Sequence, residues 1–80
     1  MTVDEQRQAV RQVARDVGGE VREDYSGRGM FGRTCFGVVC EFDMEAVEVA
    51  ASLGLRGAQT DDMGKSSIVY WPSIPGKVTT

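Results

Sequence analysis

Thr34 to Phe42 alternates strictly: Thr34, Phe36, Val38, Cys40 and Phe42 fall on one side, Cys35, Gly37, Val39 and Glu41 on the other. A period of two belongs to a β-strand. This constrains the stretch before it, Ser26-Gly27-Arg28-Gly29-Met30-Phe31-Gly32-Arg33, whose glycines match G-x-G-x-x-G. A dinucleotide turn needs a helix after its glycines, so that pyrophosphate meets a helix N-terminus. A strand follows here, which excludes that reading and leaves a glycine-rich loop inside a β-hairpin. Glu20 to Tyr25, with Val21 and Tyr25 on one face, is its first strand.

The hairpin is preceded by a helix. Thr2 with Glu5 three residues on is a capping-box signature. Val10, Val13, Ala14 and Val17 make one apolar face, and Gly18-Gly19 ends the run. Arg7, Arg11 and Arg15 lie along the other side, as a solvated stripe or a surface for an acidic partner.

A second helix runs from an Asp43 N-cap to Leu53, with a Phe42–Val47 staple, Met44, Val47, Ala50 and Ala51 inward, and Gly54-Leu55 as a Schellman ending. Strands at 57–61 and 66–71 follow, joined by a turn through Asp62-Met63-Gly64-Lys65. Ile68-Val69-Tyr70-Trp71 is apolar on both faces and reads as central or covered twice, with one of Tyr70 and Trp71 in the core and the other exposed. Pro72 and Pro75 stop the ladder.

The order is therefore α-β-β-α-β-β. Val13-Ala14-Arg15-Asp16-Val17-Gly18 resembles Val49-Ala50-Ala51-Ser52-Leu53-Gly54, each closing a helix before a hairpin. Two such halves predict an α+β two-layer sandwich, a four-stranded, mostly antiparallel sheet with both helices on one face. Residues 1–75 form the single domain and 76–80 a flexible tail; 80 residues leave room for no second core.

A net charge of −3 provides no general attraction to nucleic acid or an anionic membrane. No apolar run approaches the ~20 residues that cross a bilayer. Cys35 and Cys40 face opposite sides of one strand, too far apart to bridge, and two free thiols fit a cytoplasmic protein. With no histidine, a zinc site of ordinary spacing is excluded. Gly64-Lys65-Ser66 mimics the end of a P-loop, yet position 59 is Gln59 where the motif needs glycine, and a strand follows. Glu41, Asp43, Asp61 and Asp62 near strand ends are the weak case for Mg²⁺. No nucleophile–base pair is in view, so the chain reads as non-catalytic, without a cofactor.

The loop carries the binding chemistry. Ser26, backbone N–H groups around Gly27, Gly29 and Gly32, and the Arg28 and Arg33 guanidinium groups suit a phosphate, while Met30, Phe31 and Trp71 suit a planar or apolar body. A protein-contact loop, or one that merely tucks Met30 and Phe31 into the core, uses the same residues.

Ser26-Gly27-Arg28-Gly29-Met30-Phe31-Gly32, Asp61-Asp62-Met63-Gly64 and Ile68-Val69-Tyr70-Trp71-Pro72 together resemble segments of small uncharacterised proteins encoded in bacteriophage and prophage genomes. The resemblance implies a context in which small proteins disable a host factor or sequester a host signalling nucleotide. The expectation is a phage-type binding module, a homo-oligomer, that sequesters a phosphorylated nucleotide-like ligand. The alternative is a protein-binding inhibitor that occludes a host defence or metabolic enzyme.

Overall fold

The elements form where caps and periodicity place them. The structure is a computed structural model that describes residues 1–25 and 35–73. Helix α1 (Val3–Val17) leads to strands β1 (Glu20–Tyr25) and β2 (Cys35–Cys40), then α2 (Asp43–Ser52), β3 (Gln59–Asp62) and β4 (Ser67–Pro72). The expectations for Ser26 to Thr34, for Pro75 and for the 76–80 tail lie outside the described residues.

The Thr2 hydroxyl accepts the Glu5 N–H at 3.1 Å, and the Glu5 carboxylate accepts the Thr2 N–H at 2.8 Å, closing the capping box. That backbone bond favours the charged carboxylate and holds Glu5 below its ordinary range. Gly18 ends α1 in the left-handed region at φ 69, where a Cβ would crowd the backbone.

The start of α2 departs from expectation. Phe42 is the N-cap, in extended conformation and without a side-chain hydrogen bond, and Asp43 is the first helical residue. A bend at Glu41 separates β2 from the helix and the extended Phe42 takes the cap position, so the Asp43 carboxylate complements the positive end of the helix dipole instead of capping it. Phe42 is 66 % exposed, so the Phe42–Val47 staple does not form. The other end agrees: the Leu55 N–H donates to the Ala50 carbonyl at 3.0 Å and the Gly54 N–H to the Ala51 carbonyl at 3.1 Å, a Schellman motif that buries Leu55.

The sheet order is β1-β2-β4-β3, every pairing antiparallel. Each α-β-β half contributes one central and one edge strand, and the halves meet along β2 and β4. Val10, Val13 and Ala14 of α1 share one core with Ala46 and Ala50 of α2, packed on Phe36, Val38, Val69 and Trp71. Both helices therefore cover the same sheet face. In α2 the small Ala46 and Ala50 lie inward; Met44 and Ala51, expected inward, face out.

One irregularity in β1 matters for the site. Arg22 pairs with Gly37 but Tyr25 pairs with Cys35, so Glu23 and Asp24 together stand opposite Phe36. Such a β-bulge adds a residue to one strand and resets which side the following residues face. Val21 packs on the helix-side core, and Glu23 binds arginines of α1. Simple alternation places Tyr25 with Val21, as expected above; the bulge instead turns Tyr25 to the opposite face, where it packs with Cys35, Ile68, Tyr70 and Val39.

Candidate binding site

Where β1 ends and β2 begins, the root of the glycine-rich loop is built from three strands: Tyr25 pairs with Cys35, and Cys35 with Pro72. The Tyr25 ring lies against Tyr70, with centroids 5.0 Å apart and planes tilted by 59°. Its hydroxyl donates to the Asp61 carboxylate at 2.7 Å. Tyr25 is on one edge strand and Asp61 on the other, so a single side chain bridges the sheet face away from the helices.

On the helix side, Gln6 is 3 % exposed and its Nε2 donates to the Pro72 carbonyl at 3.0 Å. This satisfies a carbonyl at the end of β4 and ties the first turns of α1 to the loop end of the sheet. At the same end, a cavity of about 400 Å³ is lined by Met1, Gln6, Gly54, Leu55, Arg56 and Pro72. The Arg56 guanidinium in that lining is able to neutralise an anion.

The hydroxyl bridge yields a direct expectation. Tyr25→Phe removes a bond to a charged acceptor, worth roughly 1.5–3 kcal/mol when well shielded and less here because both partners are half-buried. A double-mutant cycle of Tyr25→Phe with Asp61→Asn, read by urea unfolding, should show coupling of about 1 kcal/mol. Coupling within error of zero refutes the bridge.

Of the ligand residues expected from sequence, Ser26, Gly27, Arg28, Gly29, Met30, Phe31, Gly32 and Arg33 lie outside the described residues. Trp71 is placed, and its reading is corrected: it is 0 % exposed, enclosed between α1, α2 and the sheet, and offers no face to a ligand. Tyr70 is buried as well, so the expected division into one core and one exposed aromatic does not hold. Central β4 is covered on both sides, which accounts for its unbroken apolar run.

The arginine stripe of α1 is largely spent inside the molecule. Arg11 donates through Nε and Nη2 to one Glu23 oxygen at 3.1 and 2.8 Å; Arg7 pairs with Asp4 at 2.9 Å and Glu23 at 3.6 Å. The Arg7 guanidinium also stands 5.5 Å from the centre of the Phe36 ring, within cation–π range. Arg15 donates to the Gln12 side chain. Arg7 and Arg11 clamp α1 to β1 through Glu23.

The acidic residues do not assemble. Asp61 accepts from Tyr25, while Asp62 Oδ1 accepts the Gly64 N–H at 2.9 Å inside the β3–β4 turn. Among the described residues no three Cys, Asp or Glu side chains are placed to hold a metal ion. Cys35 and Cys40 are buried free thiols on opposite faces. Burial first, then the Asp43 and Glu45 carboxylates, push the Cys40 thiol above its usual range, which disfavours the reactive thiolate. No helix among the described residues is long and apolar enough to cross a membrane.

Sequence reasoning missed Gln6, Arg56 and the Tyr25–Asp61 bridge. Gln6 did carry a signal: it lies four residues before Val10, on the apolar face of α1. Arg56 carried none. No protein-family model matches the chain, and no curated protein or solved structure is significantly similar to it.

Proposed function

We propose that this chain is a non-catalytic, phage-type binding module that sequesters a phosphorylated, nucleotide-like ligand of the host through Ser26 to Arg33. The observation that carries the proposal is the construction of the loop's root. It is held on one side by the Tyr25–Asp61 bridge and on the other by the Gln6–Pro72 bond, beside a cavity lined by Arg56. A loop mounted on a fixed base binds with less ordering cost than one that must also organise its ends.

Arg28 and Arg33 neutralise phosphate in this reading, N–H groups near Gly29 fix its oxygens, and Phe31 stacks on the base. The pairing of Arg7, Arg11 and Arg22 with carboxylates supports it, because those cations are already engaged. The module acts in the cytoplasm, and a second copy completes the site at a homo-oligomer interface.

Isothermal titration with cyclic and linear nucleotides, at concentrations that preserve any oligomer, tests the proposal. Binding is expected, and Arg28→Ala with Arg33→Ala should weaken it by at least about a hundredfold, since each charged hydrogen bond contributes roughly 1.5–3 kcal/mol. Absence of heat with every nucleotide, or unchanged affinity in the double variant, overturns it. A stoichiometric host protein retained after nucleotide removal would instead assign the loop to occlusion of a host enzyme.

A further inference from the structure

The basic side chains among the described residues are not equally engaged. Arg7, Arg11 and Arg22 pair with carboxylates, and Arg15 donates to the Gln12 side chain. Lys65 stands in the β3–β4 turn, at the far end of the sheet from Pro72. Arg56 is exposed, has no ion-pair partner among the described residues, and lines the cavity beside Pro72. In a chain with 12 Asp and Glu residues, a guanidinium left unpaired at a cavity is available to an anion from outside.

The walls agree in sign. Two hollows flank Met1, and the one toward Leu53 is lined by Asp4 and Glu5, which are already held by Arg7 and by the capping box. The one toward Pro72, of about 400 Å³, is lined by Met1, Gln6, Gly54, Leu55, Arg56 and Pro72, so its described lining contains no carboxylate. Its formal charges are the Arg56 guanidinium and the Met1 ammonium, both positive.

The floor is fixed before any ligand arrives. Gln6, 3 % exposed, donates through Nε2 to the Pro72 carbonyl, and Leu55 is buried by the bond from its N–H to the Ala50 carbonyl that closes α2. A preformed cavity binds with little ordering cost. Its chemistry is divided between the aliphatic Met1, Leu55 and Pro72 and the polar Gln6 and Arg56. One planar guanidinium fork matches the two oxygens of a carboxylate bidentately, and an aliphatic wall takes a hydrocarbon body. A phosphate brings more charge and more oxygens than one fork satisfies and makes no use of that wall.

We infer that the Gln6–Arg56 cavity is a binding site for a small aliphatic carboxylate. The ligand's carboxylate meets Arg56, and its hydrocarbon body lies against Met1, Leu55 and Pro72. The site stands apart from the loop reading, since it uses no residue of 26–33.

The test titrates the full ¹⁵N-labelled chain with hexanoate, and with hexan-1-ol, acetate and inorganic phosphate at matched ionic strength. Saturable amide shifts are expected at millimolar hexanoate for Gln6, including its side-chain NH₂, and for residues 54–57. Acetate should bind at least about tenfold more weakly because it leaves the aliphatic wall wet, and hexan-1-ol as much more weakly because it lacks the charge. Arg56→Gln should weaken hexanoate at least about tenfold. Because Arg56 is exposed, that variant should keep its thermal midpoint within about 3 °C. The Arg28→Ala, Arg33→Ala variant should bind hexanoate as the unaltered chain does, which separates this site from the nucleotide reading. Hexan-1-ol or phosphate binding as tightly as hexanoate overturns the inference. So do shifts that rise without saturating, shifts confined to other residues, and unchanged affinity in Arg56→Gln.

Discussion

Gly19→Ala should lower the thermal midpoint by roughly 10–20 °C, because a small domain shifts about 4–8 °C per kcal/mol and overpacking costs about 1–3 kcal/mol. A Cβ at position 19 would stand 2.6 Å from the Val39 carbonyl oxygen and 2.8 Å from Val38 Cγ1. Neither neighbour can give way cheaply. The carbonyl belongs to central strand β2, which is hydrogen-bonded on both sides, and Val38 is fully buried in the core. The alternative is to push the start of β1 outward, which breaks the Glu20–Val39 pairing. Gly18→Ala is the matched control. Nothing lies within 4 Å of its added Cβ, so it carries only the strain of a left-handed backbone, about 1–2 kcal/mol. Thermal unfolding followed by circular dichroism separates the two, and a smaller loss for Gly19→Ala than for Gly18→Ala refutes the close-approach argument. The adjacent glycines thus end the same helix for different reasons, one for its φ and the other for its missing side chain.

How much of this was legible follows from how local each cause is. The α1 capping box, the Gly54-Leu55 ending and the alternation of β2 between Cys35 and Cys40 depend on a few consecutive residues, and these appear as expected, whereas Phe42 leaves the strand to cap α2. The sheet order follows from two helix–hairpin halves joined through their second strands. What failed depends on contacts distant in sequence. Met44, Val47, Val49, Ala50 and Ala51 put apolar atoms on every side of α2, so periodicity could not set its rotation. Packing on Val69 and Trp71 chose the small side, Ala46 and Ala50. The bulge at Glu23-Asp24 contains neither Gly nor Pro and has no local signature, yet it decides which face Tyr25 joins. For the site, composition singled out the loop, whereas its root comes from partners 36 and 66 residues away in sequence.

Trp71→Ala should cost about 3–5 kcal/mol, the range for emptying a buried aromatic site. A chain of 80 residues at roughly 0.05–0.15 kcal/mol per residue has only about 4–12 kcal/mol in total, so much of the population would unfold at 37 °C. The loss is large because Trp71 is the meeting point of both halves: it pairs across the sheet centre with Phe36 and packs beneath both helices. Trp71→Phe distinguishes the contributions within that loss. The indole Nε1 is buried with no hydrogen-bond partner among the described residues, a donor whose desolvation costs roughly 1–3 kcal/mol. Phenylalanine removes that unpaired donor while keeping an aromatic ring in the site, so the two changes offset, and the net loss should be less than half that of alanine. Urea unfolding of the three proteins at constant m-value measures both steps. If Trp71→Phe destabilised as much as Trp71→Ala, the N–H would have a partner and the enclosure described here would be wrong. The same enclosure bears on function: a nucleotide should leave Trp71 fluorescence unchanged while binding at Phe31, whereas quenching on binding would return Trp71 to the ligand site.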